Sequence, residues 1–411
     1  MPTDNFSTLP FSQCISKISI KHKIKQKDYL ASGKYPVIDQ GQSFISGYCD
    51  DEIAIKIKKP VIIFGDHTRC FKFVDFDFVA GADGIHILEP KDFFNEKLFY
   101  YFCLALDFPN KGYSRHFQYL AKTTMKIPPL ETQKRIVARL ESAFEKIEKG
   151  SAHLQDAKTK LAKYKQSLLK SAFDGTLTAA ASLQGVEKAE TIHKVDCHDL
   201  TSSKLAMTDK ENPKLPQGWT IKTLGEVFKV VGGGTPSTAK TEFWNGNIAW
   251  ITSADIDLQG FIITPKRFIT NEAIQSSTTN CVEKDTIIVV TRVGLGKVGI
   301  TDRRTCFSQD SQALIPLENV NVKFMAFQIK NQAKNFISVS RGTTINGITK
   351  NTLKELKLVV PPLETQKQIV KLLEKHLQHA DKTGEFIESA LNKAKQLKQS
   401  LLKSAFLGEL V

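Results

Sequence analysis

Arginine, glutamine and histidine are the side chains that read base edges in a DNA groove, arginine toward guanine and glutamine toward adenine. In this chain they gather in short polar runs. His67, Arg69 and Lys72 surround the break at Gly65-Asp66 in VIIFGDHTRCFKFV, and Tyr113, Ser114, Arg115, His116 and Gln118 form a second cluster. Farther along, Arg292, Lys297, Arg303, Arg304, Gln309 and Gln312 follow one another between glycine-broken apolar runs, and Arg341, Thr343, Thr344 and Asn346 lie in SRGTTINGITK. KISIKHKIKQK, over 17–27, alternates Ile18, Ile20 and Ile24 with Lys17, Lys21, Lys23, Lys25 and Lys27 nearer the other face, which predicts a strand with a basic side. Such a strand could track phosphates, or be an edge strand whose lysines deter aggregation. For any one of these residues a solvated surface role is as good an account as a base contact. The clusters carry the reading.

Other chemistries fit poorly. GLGKVG (Gly294–Gly299) and Gly232–Gly234 suggest phosphate loops, but neither matches GxxxxGK[ST], and Lys297 is followed by Val298 rather than a hydroxyl. His376 and His379 lie one helical turn apart near Asp381, but two imidazoles on a solvated helix face usually bind nothing; His193, Cys197 and His198 fall in the polar linker, and no metal is expected. Glu89-Pro90-Lys91 has a nuclease-like ExK form, yet so does Glu355-Leu356-Lys357, so the signal is at chance level. No glycine loop suited to S-adenosylmethionine and no (Asn/Asp)-Pro-Pro-aromatic tetrad is found. The expectation is a chain without a catalytic set and without a cofactor of its own.

Composition agrees with a polyanionic partner. The chain has 411 residues, 41% hydrophobic and 24% charged, with a formal charge of +14. Lys and Arg exceed Asp and Glu by 3 over 1–127, by 4 over 128–178, by 7 over 214–360 and by 2 over 361–411, while 179–213 carries −2. The excess is spread over the folded segments, and nucleic acid is the partner this favours. No apolar run approaches a membrane span, the opening MPTDNFSTLPF lacks a signal peptide's layout, and seven scattered cysteines without CxxC predict unpaired thiols in a reducing cytoplasm.

What must position the clusters is a repeat. PPLETQK begins at Pro128 and again at Pro361, and KQSLLKSAF begins at Lys165 and again at Lys398, both at an offset of 233 residues. From Glu131, Leu140, Ile147, Leu154, Leu161 and Leu168 recur every seven residues, with Ala143, Ala157 and Tyr164 beside them. The second copy repeats the seam with Leu373, Ala380, Ile387, Ala394 and Leu401, joined by Leu377, Leu391 and Leu397. The paired prolines disfavour helix upstream, and Gly175 and Gly408 supply matching stops. Gly150 and Gly384 sit mid-helix, where a local bend is possible. A lone helix with one apolar stripe needs a partner in water, and the nearest is the other copy, lying antiparallel. The segments before each copy do not match one another. The expected fold is α+β: two mixed α/β heads, at 1–127 and 214–360, joined by two long helices, at 128–178 and 361–411, that form an antiparallel coiled coil with pseudo-twofold symmetry, and a linker at 179–213.

These pieces, in this order, resemble the specificity subunit of Type I restriction–modification systems. PPLETQK with the KQSLLKSAF ending is similar to that family's repeat helices; LPQGWTIKTLGEV, GGGTPS and WNGNIAWIT look like the start of many of its target-recognition domains, and IFGDHTR with GADGIHIL like another variety. The resemblance implies a non-catalytic DNA-binding subunit whose two heads each read, in the major groove, one half of a bipartite site. It implies two modification subunits that use S-adenosylmethionine to methylate adenine, and restriction subunits driven by ATP with Mg. A Type IIB-like system, with cutting and methylation in one partner, is the alternative on the same fold; a coiled-coil scaffold without DNA specificity is the alternative from another class.

Overall fold

A computed structural model describes residues 6–81, 84–112, 114–178, 215–258, 260–340 and 347–410. The chain divides into two compact units, Met1–Lys158 with Glu385–Val411, and Thr159–Gly384. Each unit takes one head and part of each long helix.

In the first unit an antiparallel four-stranded sheet runs in the order Ile15–Ile18, Ile85–Pro90, Val61–Gly65, Phe71–Val74. A second sheet pairs Tyr35–Ile38 antiparallel with Gly47–Cys49 and parallel with Val79–Ala80. Ser7–Pro10 closes the head by pairing with Thr124–Ile127, which leads directly into the first long helix. In the second unit the same plan returns without the same sequence. An antiparallel sheet runs Phe228–Gly232, Ser311–Pro316, Ile287–Val290, Val298–Ile300. Its companion contains one parallel pair, Ile248–Ile251 with Thr305–Phe307, and Thr220–Thr223 closes on Lys357–Val360. The runs that form these strands are β-branched and aromatic, with glycine at the breaks.

The long helices are Leu130–Asp174 and Leu363–Leu407, each of 45 residues, or about 68 Å at 1.5 Å per residue. They pack together antiparallel. Cross-helix ion pairs join Glu148 with Lys398, Lys158 with Glu388 and Lys165 with Asp381, one number falling as the other rises. Both helices stop at glycines in the left-handed region, Gly175 at φ 86° and Gly408 at φ 84°. A side chain at Gly175 would also meet Pro216 Cγ at 2.4 Å. Gly150 and Gly384 interrupt neither helix.

Along the repeat Leu140, Leu168, Leu373, Ala380 and Ile387 are buried, and Ile147, Leu154, Leu161, Ala394 and Leu401 half-buried. It differs near the heads. Leu397 is 52% exposed, whereas Leu402 and Ala405 are buried in one cluster with Ile136, Leu140, Phe99 and Phe102. A helix of 3.6 residues per turn drifts from a strict seven-residue repeat, and here the head's core, rather than the partner helix alone, selects which residues turn inward.

Two further expectations are corrected. The basic strand at 17–27 ends at Ile18; Ile18 and Ile20 pack on one cluster while Ile24 pairs with Gly81 and packs on another, so the lysines between them lie on a loop. The strand that remains is an edge of its sheet. Cys281 and Cys306, directly opposite across two antiparallel strands, form a disulfide rather than two free thiols. Cys14, Cys49, Cys70 and Cys103 are free. Among the described residues no helix is long and apolar enough to cross a membrane.

The burial pattern predicts that Leu140→Ala, at a fully buried contact, lowers unfolding stability by about 2–5 kcal/mol, while Leu397→Ala changes it by less than about 0.5 kcal/mol. Urea denaturation of the two variants checks this; equal effects would restore Leu397 to the seam.

Candidate nucleic-acid interface

In the first head the polar runs at 66–72 and 114–118 meet at one end of the four-stranded sheet. The hub is Asp66, 5% exposed. Its backbone N–H donates to Gly84 O at 2.7 Å, and its carboxylate Oδ1 accepts from the Phe117 N–H at 2.7 Å. Its carbonyl accepts from the His116 N–H at 3.0 Å and from His116 Nδ1 at 2.8 Å. A carbonyl can only accept, so Nδ1 carries the proton, and Nε2 is left to accept the Lys111 N–H at 3.2 Å. His116 is wholly buried and links Lys111 to Asp66. Arg115 and Gln118 stand exposed on either side of it.

Arg69 has a positive φ of 60° and is fixed there: Nη2 donates to Phe108 O at 2.8 Å and the guanidinium lies 4.6 Å from the Phe108 ring centre. Lys72 is not at the surface. With 4% exposure it donates to the carbonyls of Asp39 and Ser43 at 2.7 and 2.6 Å, and burial pushes its pKa down while Asp39 opposes the shift. His67 is half-buried, its N–H donating to Gln40 Oε1 at 3.3 Å. Lys21, Lys23 and Lys25 are exposed on the loop after the edge strand. Lys17, Lys23 and His86 line a pocket of about 250 Å³ floored by Ile18, Ile20, Ile85 and Ile87. Lys17 Nζ caps the Phe117 ring at 3.7 Å.

In the second head the candidates divide between the two ends of a sheet. Strand Ile287–Val290 runs out into Arg292, and register places Val290 opposite Ser311 and Gly232 opposite Gln312, so Arg292, Gln309, Gln312 and the GGGTPS loop share one end. There Thr235 Oγ1 donates to Gln309 Oε1 at 2.5 Å, orienting the amide, and Arg292 Nε lies 3.8 Å from Asp310 Oδ1. Gly233 and Gly234 permit a close approach: a Cβ at Gly233 would sit 2.3 Å from Ser308 O, and Trp250 Nε1 donates to Gly234 O at 3.0 Å. Lys297 is at this end but half-buried, bonded to Ser253 O at 2.7 Å. Arg303 and Arg304 lie at the other end. Arg303 forms a two-pronged pair with Asp302 at 3.0 and 2.8 Å, and Arg304 Nε stands 3.9 Å from Glu283. Arg341, Thr343, Thr344 and Asn346 lie outside the described residues.

Each head therefore presents an exposed arginine and an exposed glutamine at one sheet end, Arg115 with Gln118 and Arg292 with Gln309, while Gln312 is half-buried on strand Ser311–Pro316. The model of the Type I restriction modification DNA specificity domain matches residues 15–155 and 216–392. The chain belongs to that family. A Type I restriction enzyme EcoR124I/EcoR124II specificity subunit from Escherichia coli is 29% identical over 368 residues, 86% of this chain and 82% of that one. A MjaIX specificity subunit from Methanocaldococcus jannaschii is 30% identical over 39% of this chain and 38% of its own. Among solved structures, a chain of a type I R-M system aligns with a TM-score of 0.68 at 17% identity, covering 98% of this chain and 97% of the other. The HsdS subunit from Thermoanaerobacter tengcongensis aligns at 0.55 and 17% identity over 98% and 96%. At such identity these two likenesses concern the fold.

Sequence reading of the specificity domains missed the residues that hold the loops. Asp66 was visible as a turn residue beside Gly65, but its bond to residue 117 requires the fold. Gln40 and His86 in the first head, and Thr235 and Asp310 in the second, had no local signal beyond polarity.

Burial pushes the His86 imidazole below its ordinary pKa, and its contact with Asp66, Nε2 to Oδ2 at 3.4 Å, offsets only part of this. The unfolded chain then binds the proton first, so the contribution is complete above about pH 6.5 and shrinks as pH falls toward the folded value. Replacing His86 with Asn should flatten the loss of stability between about pH 7.5 and 5.5. Thermal unfolding at the two pH values tests this; an unchanged slope would mean that His86 takes up its proton equally in both states.

Proposed function

We propose that this chain is the DNA-recognition subunit of a Type I restriction–modification complex. Each head reads one half of a bipartite site, and the paired helices keep the halves at a fixed separation. The chain itself does no chemistry. Two modification subunits supply S-adenosylmethionine and methylate an adenine in each half, taking the base out of the duplex. Restriction subunits supply the ATP-dependent cleavage, with Mg, of unmodified DNA. The complex works where the DNA is, in the cytoplasm.

The observation that carries this is the pairing of sameness and difference. The helices repeat at a constant offset and the heads share a plan, yet the head sequences do not match. Two different readers on one repeated support suit an asymmetric, non-palindromic site. Spread positive charge supports phosphate attraction over the whole surface, with a strong salt dependence.

Within this reading Arg115 and Gln118 in the first head, and Arg292, Gln309 and Gln312 in the second, contact bases. Lys21, Lys23 and Lys25 contact phosphates, and Lys72 and His116 support the loops from within. Methylation-sensitive sequencing of cells carrying the chain and its partner subunits identifies the site. Replacing 214–360 with the second head of another family member should change one half and leave the other; a palindromic site, or a change in both halves, would count against the reading. On a duplex bearing the site, Arg292→Ala combined with Gln309→Ala should weaken the assembled complex tenfold or more, since a base contact is worth about 1–3 kcal/mol. Arg303→Ala, already paired with Asp302, should stay within about twofold, because surface pairs contribute little. Fluorescence anisotropy at fixed salt measures both.

A further inference from the structure

The glutamine of PPLETQK is buried in both copies, Gln133 at 0% and Gln366 at 1% exposure, on helices that are otherwise charged outside and aliphatic inside. Each does the same work at the root of its helix. Gln133 Oε1 accepts the N–H of Asn95 at 2.6 Å, while Nε2 donates to Pro128 O at 2.9 Å and to Phe93 O at 2.8 Å. Gln366 Oε1 accepts the N–H of Asn321 at 2.8 Å, and Nε2 donates to Pro361 O at 2.8 Å.

Asn95 and Asn321 immediately precede helices Glu96–Ala105 and Val322–Ser340, whose residues share a buried cluster with the long helix. Their side chains accept from Leu98 N and Phe324 N, both at 3.0 Å. Two residues beyond each asparagine, Lys97 pairs with Glu141 and Lys323 with Glu374, the acids lying about two turns past the glutamine. The glutamine thus ties together the carbonyl at the root of the long helix and the first peptide group of the head's helix. The amide accepts from a peptide N–H and donates to a carbonyl at once; a carboxylate would leave the carbonyl without a donor, and a hydrocarbon would leave both sides unsatisfied.

We infer that Gln133 and Gln366 are positioning residues that lock each head at one angle on its own long helix, and that this lock sets how strictly the complex reads the spacer between the half-sites. The inference rests on the DNA-recognition reading above. It assigns to the PPLETQK motif a role in spacer stringency, separate from base contact and from pairing of the helices. Asn95 and Asn321 follow Pro90 and Pro316, the strand ends opposite to those that carry Asp66 and Gln312, so half-site sequence should not depend on the joint.

The test uses the full chain with its partner subunits in cells, read by methylation-sensitive sequencing, with Gln133→Met and Gln366→Met. Each variant keeps the side-chain length and removes both hydrogen-bonding functions. The expected result is that both half-site sequences persist while sites with a spacer one base pair longer or shorter become methylated, rising at least tenfold above wild type. Lower methylation at the normal site with no new spacers would overturn the inference, since that is what simple loss of stability gives. Should the methionine variants fail to accumulate, Lys97→Glu with Lys323→Glu decides, because it sets like charges against Glu141 and Glu374 across each joint while leaving the buried core intact. It should broaden the spacer in the same direction to a smaller extent, and unchanged stringency would overturn the inference. A wild-type chain that yields no bipartite motif at all would instead sink the DNA-recognition reading itself.

Discussion

An apolar stripe along a charged helix cannot remain in water, and most of this structure follows from how that stripe is covered. Neither 45-residue helix is apolar enough to be buried all round, and neither would hold its length alone. Lying antiparallel they cover one another, with exposed Lys–Glu and Lys–Asp pairs at the margins that add little energy but penalise a slipped register. Each end of the stripe is then finished by a head rather than by more helix. Ile136 and Leu140 enter the core of the first head, and Ile369 and Leu373 that of the second. A head and the root of its helix are in this sense one hydrophobic core, which makes a hinge between them costly.

The heads show how one architecture tolerates two unrelated surfaces. Interior positions agree in kind across the two units even where the sequences do not align. Leu120 and Leu353 are both fully buried, as are Met125 and Leu358, at the same spacing that separates the helical repeats. The repeat therefore begins in structure before it can be seen in sequence. By contrast, the loops at the reading ends are built differently. The first depends on a buried aspartate that gathers backbone donors from residues fifty positions away, the second on glycines that let strands come close. Either construction fixes the loop backbone through hydrogen bonds or close packing, which lowers the cost of ordering it on binding.

The repeat, the helices with their glycine stops, and the glycine-broken strands of the heads were legible in the sequence because each depends on local periodicity or a single backbone preference. The separation of Arg292 and Gln309 from Arg303 and Arg304 was not, since a three-residue strand between Arg304 and Ser308 carries the chain from one end of a sheet to the other. Nor was the burial of Lys72, whose alternation in FKFV matches a surface residue; two carbonyls from residues 39 and 43 make its interior position tolerable. The lysine run at 17–27 misled for a related reason. Its alternation is perfect, but its isoleucines serve two different cores, and no strand can remain straight while doing that. The cysteine pair shows the limit of counting: scattered residues 25 apart become direct neighbours across two strands.

The make-up of the two units has a consequence for synthesis. The second unit is one continuous stretch, Thr159–Gly384, whereas the first joins Met1–Lys158 to the last residues, Glu385–Val411. Leu402 and Ala405 lie in the first head's core beside Phe99, Phe102 and Leu140. A ribosome therefore releases everything the second unit needs while the first head, made earlier, still lacks a wall of its interior. The head translated first is completed after the second, and until Leu402 and Ala405 emerge Phe99 and Phe102 lack part of their cover, the kind of transiently exposed apolar surface that favours misassembly.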